Sequence, residues 1–328
     1  MKILITGANG FLGHHLVKQL KDKHQLLTPT SAELNVSDID DLHDYISSNG
    51  PNIIIHLAAV CGGIGANQES PADFFLHNSL MSLNILSASS YYNIEKLITL
   101  GSVCSYPKFT PVPFKEEDLW NGYPEETNAP YGIAKKNLLV GCQAYHDQYA
   151  RNFIHLIPVN MYGEHDNFNP NSSHVIPALL KKFIEAKETG EASVEGWGDG
   201  SASREFLYAG DCAKAIELAM DNYNSPKPIN IGTGQEISIK NLVYLIKDIV
   251  GFKGEIVFDP TKPNGQPRRC LDTSKAEKEF NFKASTSLED GLLKTYNWYI
   301  NHWGDGSRRK FDGRLSPKKY RTLYYRRS

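Results

Sequence analysis

Cysteine is scarce in this sequence: five in 328 residues, at Cys61, Cys104, Cys142, Cys212 and Cys270. The count is odd, and no two stand as CxxC. Neither a disulfide framework nor a thiolate zinc site is indicated, and no metal centre is expected. Long apolar runs are missing too. None approaches the ~20 residues that cross a bilayer, and the opening MKILITGANG lacks the apolar segment of a secretory signal. There is no internal repeat and no low-complexity block. These absences point to a cytoplasmic globular protein without a membrane or nucleic-acid partner. A strong net charge is also lacking: 35 Lys/Arg against 37 Asp/Glu give −2. That sum is uneven. Residues 304–328 hold nine Lys/Arg and two Asp, a net of +7, which leaves −9 on residues 1–303. The basic tail is an electrostatic handle or a packing extension.

What is present is alternation. Lys2–Thr6 is a short apolar, β-branched run that stops at glycine, the pattern of a buried parallel strand. Phe11–Leu20 has helical spacing. A strand near 25–28, a polar helix near 39–48 and strands at 52–57, 96–100 and 153–159 follow. Helices near 72–92 and 131–149 lie between the later strands. This order predicts an α/β fold, a Rossmann-type doubly wound parallel sheet. Helices at 175–187, 212–222 and 239–250, with Pro and Gly clusters between them, suggest a smaller mixed α/β substrate-binding lobe. The expected division is a cofactor domain at 1–160, with segments around 205–232 returning to it. A lobe at 161–303 and the tail at 304–328 complete it.

Gly7-Ala8-Asn9-Gly10-Phe11-Leu12-Gly13 is GxxGxxG between a strand and an amphipathic helix. Its glycines permit a tight turn, a close pyrophosphate and tight helix–strand packing, with a helix N-terminus facing the anion. The second strand ends in Leu27-Thr28-Pro29-Thr30-Ser31. No Asp or Glu closes it to repel a 2′-phosphate, and no Arg follows to bind one. The missing carboxylate favours NADP mildly.

Tyr131 and Lys135 stand four apart, on one helix face. An ammonium beside a phenol lowers its pKa from ~10, which suits proton exchange at an alcohol or ketone oxygen. Ser102, just after strand 96–100, is the third polar group. Cys104, two residues on, is expected on the same side of an extended chain.

GxxGxxG, His56–Ala59 (HLAA), Ser102 and YxxxK, in that order, resemble the extended short-chain dehydrogenase/reductases over about residues 1–300. Longer strings narrow the match: Gly62-Gly63-Ile64, Pro71-Ala72-Asp73-Phe74, Gly101 to Lys108, His165-Asp166-Asn167-Phe168 and Ser173 to Leu180. They resemble the GDP-4-keto-6-deoxy-D-mannose 3,5-epimerase/4-reductase family, which makes GDP-L-fucose.

That resemblance implies catalytic Ser102, Cys104, Tyr131, Lys135 and His174. Cys104 and His174 would exchange protons at carbons 3 and 5, and Tyr131 would protonate the carbon-4 oxygen. It implies cofactor contacts from Gly7 through Gly13 (Ala8, Asn9, Gly10, Phe11, Leu12) and from Asp38, Ala58, Leu100, Gly101, Ser102 and Val103. Tyr131, Lys135, Pro158, Val159, Asn160, Met161 and His174 complete that set. Lys182, Trp197, Arg204, Arg268 and Arg269 would hold the GDP-sugar, with Arg and Lys on its diphosphate. The substrate implied is GDP-4-keto-6-deoxy-D-mannose or a related GDP-linked 4-keto sugar of a colitose or heptose route. Val103-Cys104 stands where 4,6-dehydratases carry Asp-Glu, which disfavours dehydration. The family's arginines for the 2′-phosphate are here Asn9 and Ser31, so NADP(H) is implied with NAD(H) left open. Its His-Val-Asp-Asp is here Tyr208-Ala209-Gly210-Asp211. A homodimer through helices 72–92 and 128–149 is implied as well, with Ala88, Ala134, Leu138 and Leu139 as compatible residues.

Overall fold

A computed structural model describes residues 1–169, 172–262 and 266–303. The basic tail discussed above lies outside them. The first half runs β1 (Lys2–Thr6), α1 (Phe11–Leu20), β2 (Gln25–Leu27), α2 (Ile39–Asn49), β3 (Ile53–His56), α3 (Ile64–Glu69), α4 (Pro71–Tyr91), β4 (Lys96–Leu100), α5 (Ala129–Tyr149) and β5 (Phe153–Pro158). The second half runs β6 (Asn160–Tyr162), α6 (Val175–Thr189), β7 (Ser193–Trp197), β8 (Ser203–Tyr208), α7 (Ala209–Asn222), β9 (Ile229–Ile231), β10 (Glu236–Ser238), α8 (Ile239–Val250), β11 (Glu255–Asp259), α9 (Ser274–Phe280) and α10 (Leu288–Trp303).

Six strands form one parallel sheet in the order β2-β1-β3-β4-β5-β9. Every residue of β3, β4 and β5 is buried, as continuous apolar runs require when helices cover both faces. On one face α1, α7 and α9 contribute Leu12, Leu16, Cys212, Ile216 and Phe280 to the core. On the other, α2, α4 and α5 contribute Leu42, Ile46, Ile85, Leu138 and Cys142. Local signals set the helix ends. The Asp38 carboxylate accepts the N–H groups of Asp40 and Asp41 and so caps α2. Gly50 ends the same helix in the left-handed region. Pro130 sits in the first turn of α5, where its missing N–H costs nothing.

Two small sheets build the rest. In β10-β8-β6, β8 pairs antiparallel to β10 and parallel to β6. β11 and β7 form a parallel pair. Phe183 and Leu180 of α6, Leu242 and Ile246 of α8 and Leu292 of α10 close a separate apolar core beneath them. α7 and β9 belong to the six-stranded sheet layer, although they follow β8 in the chain. Among the described residues no helix is long and apolar enough to cross a membrane.

Candidate active site

The loop after β1 is held open by its glycines. Gly7 has φ +74°, and a Cβ there would lie 2.7 Å from Ala58 N. At Gly13 a Cβ would lie 2.3 Å from the carbonyl oxygens of both Gly7 and Ala8. Helix α1 therefore packs on the loop at backbone distance. Gly10, its N-cap, offers no side-chain cap, so the first N–H groups of α1 are left for an anion. This is a cradle for a dinucleotide pyrophosphate. Asn9 and Gly10 are exposed, whereas the side chains of Ala8 and Leu12 belong to the core. Those two residues offer backbone only. The same holds for Leu100, Val103, Pro158 and Val159, all buried at the strand ends; Asn160, Met161 and Ala58 are half-buried. Asp38 is engaged at the start of α2.

As expected, no acidic residue closes β2, which ends at Leu27; the next carboxylate, Glu33, closes a turn beyond it. Glu33 Oε2 accepts Thr30 N and Thr30 Oγ1, each at 2.8 Å. These bonds hold Glu33 below the usual carboxylate pKa.

At the end of β4 the chain turns into a 3-10 helix, Val103–Ser105, rather than running on extended. Ser102 caps it, its Oγ accepting Cys104 N–H at 3.2 Å. The turn, not strand alternation, brings Cys104 beside Ser102. Helix α5 lies directly on it: a Cβ at Gly132 would fall 2.4 Å from Cys104 O. Ser105 Oγ donates to Gly132 O at 3.1 Å. Tyr131, the preceding residue, shares a hydrogen bond with Ser102. Lys135 Nζ lies over the Tyr131 ring, 5.8 Å from its centroid.

The electrostatics differ from the simple phenol–ammonium picture. Burial pushes Tyr131 well above the ordinary phenol pKa; Cys61 and Cys104 push the same way, and only the Ser102 bond opposes them. Lys135 is pulled down to about 8, mainly by burial. Tyr131 is thus held as a neutral phenol, the form that donates a proton. Behind the strand ends, His155 Nδ1 meets Thr99 Oγ1 at 2.8 Å and His56 Nδ1 meets Thr6 Oγ1 at 2.8 Å. Burial first, and then Lys135, lower both imidazoles to about 3.

Cys104 Sγ has two donors around it. Asn128 Nδ2 lies at 3.4 Å and Arg269 Nη1 at 3.9 Å. Arg269 is fixed by Gln266 Oε1, 2.8 Å from Nη2, and it lowers the pKa of Arg204 after burial has done so. The two guanidiniums therefore share one neighbourhood, beside the thiol. Arg268 is engaged elsewhere, in an ion pair with Glu236. Lys182 Nζ donates to Glu195 O at 2.6 Å, two residues from the exposed Trp197. His174 is the N-cap residue of α6. Its ring is reachable by solvent yet hemmed in by protein, which lowers its pKa.

Three further residues join this group; only Asp166 stands in one of the strings quoted above, and none of the three reads as a site residue from sequence. Cys61 is open to solvent in the same crowded cleft, where burial raises its pKa and Lys135 opposes the rise. Asp166, almost fully buried, has one oxygen without a partner, and burial pushes its pKa to about 7. Asn128 is the third, visible only as the N-cap of α5. Among the described residues no cluster of His, Cys, Asp and Glu is arranged to hold a metal ion.

The sequence pattern of the NAD dependent epimerase/dehydratase family matches residues 3–232. GDP-L-fucose synthase 1 of Arabidopsis thaliana is 40% identical over 303 residues, covering 92% of this chain and 94% of its own length. The chain belongs to the NAD dependent epimerase/dehydratase family, on its GDP-L-fucose synthase branch. Solved structures of the family superimpose closely. A GDP-L-fucose synthetase from Naegleria fowleri bound to NADP is 29% identical with a TM-score of 0.86, covering 93% of this chain and 95% of its own. A GDP-6-OMe-4-keto-L-xylo-heptose reductase from C. jejuni is 31% identical, also with a TM-score of 0.86, covering 92% and 97%. The family's nicotinamide dinucleotide fits the cradle described above. Gly7, Gly10 and Gly13 leave backbone room for a pyrophosphate, and the uncapped α1 faces it.

Proposed function

We propose that this chain converts GDP-4-keto-6-deoxy-D-mannose to GDP-L-fucose, inverting carbons 3 and 5 and then reducing carbon 4 with NADP(H). The observation that carries the reading is a thiol, Cys104, on the same turn as Ser102 and against Asn128 and Arg269. A plain ketoreductase needs Ser, Tyr and Lys but no such thiol.

A ketone at carbon 4 makes the protons on carbons 3 and 5 removable, because the resulting enolate delocalises onto oxygen. Cys104 and His174 exchange those protons. Burial lowers the His174 pKa, so its neutral imidazole takes a proton on one face while the Cys104 thiol returns one on the opposite face, and solvent then resets both. Ser102 and Tyr131 hold the carbon-4 oxygen and its enolate. The dinucleotide, when bound, supplies the hydride. Tyr131 gives its proton to the carbon-4 oxygen, and the Lys135 ammonium then stabilises the phenolate left behind. Arg269 and Arg204 offer two guanidiniums to a diphosphate. Lys182 and Trp197 border the same lobe.

Incubating the protein with GDP-4-keto-6-deoxy-D-mannose in deuterated water, with NADPH or NADH, tests this directly. Deuterium is expected at carbons 3 and 5, with oxidation of the nicotinamide. No oxidation with either cofactor sinks the proposal. A heptose-linked substrate is the second reading, because the C. jejuni heptose reductase matches the fold as well as the fucose synthetase does. Turnover of a GDP-4-keto-heptose faster than of the deoxymannose would select it.

We also propose a homodimer through α4 and α5. Ala88, Ala134, Leu138 and Leu139 are buried within the subunit, so they do not supply that face. The exposed Phe75, Leu76, Leu83 and Val140 on the same two helices do. A monomer by sedimentation would remove this proposal.

A further inference from the structure

Arg268 and Arg269 stand side by side in the sequence, yet the fold sends them to opposite sides of one extended strap. The strap, residues 266–272, is hydrogen-bonded along both edges. On the lobe side Pro267 O accepts Ser203 N–H at 2.9 Å and Arg269 O accepts Glu205 N–H at 3.1 Å. Leu271 N–H donates to the buried Glu205 carboxylate at 2.7 Å. On the other side Cys270 O accepts Phe114 N–H and Phe114 O accepts Asp272 N–H, each at 2.8 Å. Successive side chains of an extended chain point to opposite faces. Arg268 therefore turns to Glu236, and Arg269 to the turn that carries Cys104.

Gln266 sets how Arg269 arrives there. Its Oε1 accepts Arg269 Nε–H at 3.2 Å and Nη2–H at 2.8 Å, and its Nε2 donates to Lys108 O at 2.7 Å. One amide thus ties an edge of the guanidinium to the chain four residues beyond Cys104. A guanidinium is planar, so fixing that edge also fixes the remaining corner. That corner is Nη1, 3.9 Å from Cys104 Sγ. The second donor at the sulfur, Asn128 Nδ2, is neutral.

The exchange chemistry gives this placement a purpose. When the thiol hands its proton to the enolate carbon, the S–H bond breaks and a C–H bond forms. The negative charge passes from the enolate oxygen to sulfur. A permanent cation held against that sulfur favours the charged product of the step. Hydride delivery at carbon 4 places its charge on the oxygen held by Ser102 and Tyr131 and leaves the sulfur out. We infer that Gln266 is a positioning residue for the exchange half-reaction, holding the Arg269 guanidinium on the Cys104 sulfur as it becomes a thiolate. This gives Arg269 a task beyond the diphosphate, and it rests on the proposed epimerase reading.

Gln266→Ala removes the tie and leaves the backbone bonds of the strap intact, so the protein should fold, as checked by thermal melting. Two rates at saturating substrate then test the inference. Deuterium exchange at carbons 3 and 5 of GDP-4-keto-6-deoxy-D-mannose should fall about fivefold to tenfold. Oxidation of GDP-L-fucose by NADP+, which runs the hydride step alone, should stay within about twofold. Arg269→Gln should lower exchange further, about tenfold to a hundredfold. Adding Gln266→Ala to it should lower exchange no more, because Gln266 acts through Arg269. Wild-type exchange in folded Gln266→Ala, an equal loss in both rates, or a further loss in the double variant overturns this inference alone. A wild-type chain that shows neither exchange nor oxidation overturns it together with the epimerase-reductase reading.

Discussion

Gly132 is where a single methyl group should separate fold from catalysis. It lies in the first turns of α5, one residue after Tyr131, and its ideal Cβ would stand 2.4 Å from the carbonyl oxygen of Cys104. Carbon and oxygen do not approach below 3.0 Å, so Gly132→Ala forces a retreat of at least 0.6 Å between the helix and the turn. That turn is a backbone segment pinned by Ser105 Oγ on Gly132 O, so it cannot yield as a flexible side chain would. The movement falls on Ser102 and Cys104 together. Displacements near 1 Å at a reacting group cost about 100-fold in rate, so deuterium exchange should fall roughly 10- to 100-fold. Gly141, on the same helix, is the control. Its Cβ would meet only the Leu86 side chain, Cδ1 at 2.3 Å, and no backbone. The intrinsic gain of ~1 kcal/mol for Ala over Gly in a helix then offsets the local crowding. Gly141→Ala should keep near wild-type exchange and a melting temperature within a few degrees. Both proteins would be compared by thermal melt and by proton exchange monitored by NMR. A folded Gly132→Ala protein exchanging at the wild-type rate would refute the claim that α5 sets the position of the thiol.

Cys104→Ser should abolish exchange at carbons 3 and 5 while leaving dinucleotide titration unchanged; exchange at the wild-type rate would remove the thiol from the mechanism. Glu217 of α7 is held by Gln19 of α1, by Lys23 just beyond α1, and by Lys214 one turn back on its own helix. Burial alone would raise its pKa, but those partners outweigh it and hold it near 2. Its contribution is complete above the unfolded value of ~4.5 and is lost as pH falls toward about 2. Since both lysines are about half exposed, Glu217→Gln should cost only ~1–2 kcal/mol at pH 7 and nothing near pH 2, read by urea denaturation. His56 and His155 act in a higher window. Their folded pKa values near 3 lie below the ordinary 6.5, so the unfolded chain binds protons first. Stability is complete above 6.5 and declines below it, by up to about 2 kcal/mol per histidine at pH 5. Urea midpoints that do not change between pH 8 and pH 5 would contradict this.

The sheet was legible because its strands are unambiguous. KILIT, KLITL and FIHLIP are apolar runs flanked by helical spacing or turns, and all three lie in the parallel sheet. The lobe was less so. β6, β7 and β10 read NMY, SVEGW and EIS, too short or too polar to stand out, and their pairing is decided by contacts distant in sequence. β8 pairs with both β6 and β10, while Glu205 within it binds the N–H groups of Thr233, Gly234 and Leu271. The candidate site divides in the same way. Ser102, Tyr131 and Lys135 form a spaced motif. Asn128, Cys61 and Asp166 reach the cleft from loops or the end of a helix, with no spacing that marks them.

The environment of Tyr131 links the two proposed half-reactions. The reductive step needs a phenol, since its proton goes to the carbon-4 oxygen. The exchange step leaves a thiolate at Cys104 each time the thiol gives its proton to the sugar. In the folded site these requirements support each other, because negative charge on Cys104 or Cys61 raises the pKa of Tyr131 and keeps its proton in place. The Lys135 ammonium works in the other direction only once the proton has left, by stabilising the phenolate. A site with Ser, Tyr and Lys alone would have no such order. Placing the thiol on the turn capped by Ser102, and both against Gly132 of α5, lets one oxygen anchor serve the enolate and the ketone in succession. The bound sugar need not leave between the two reactions.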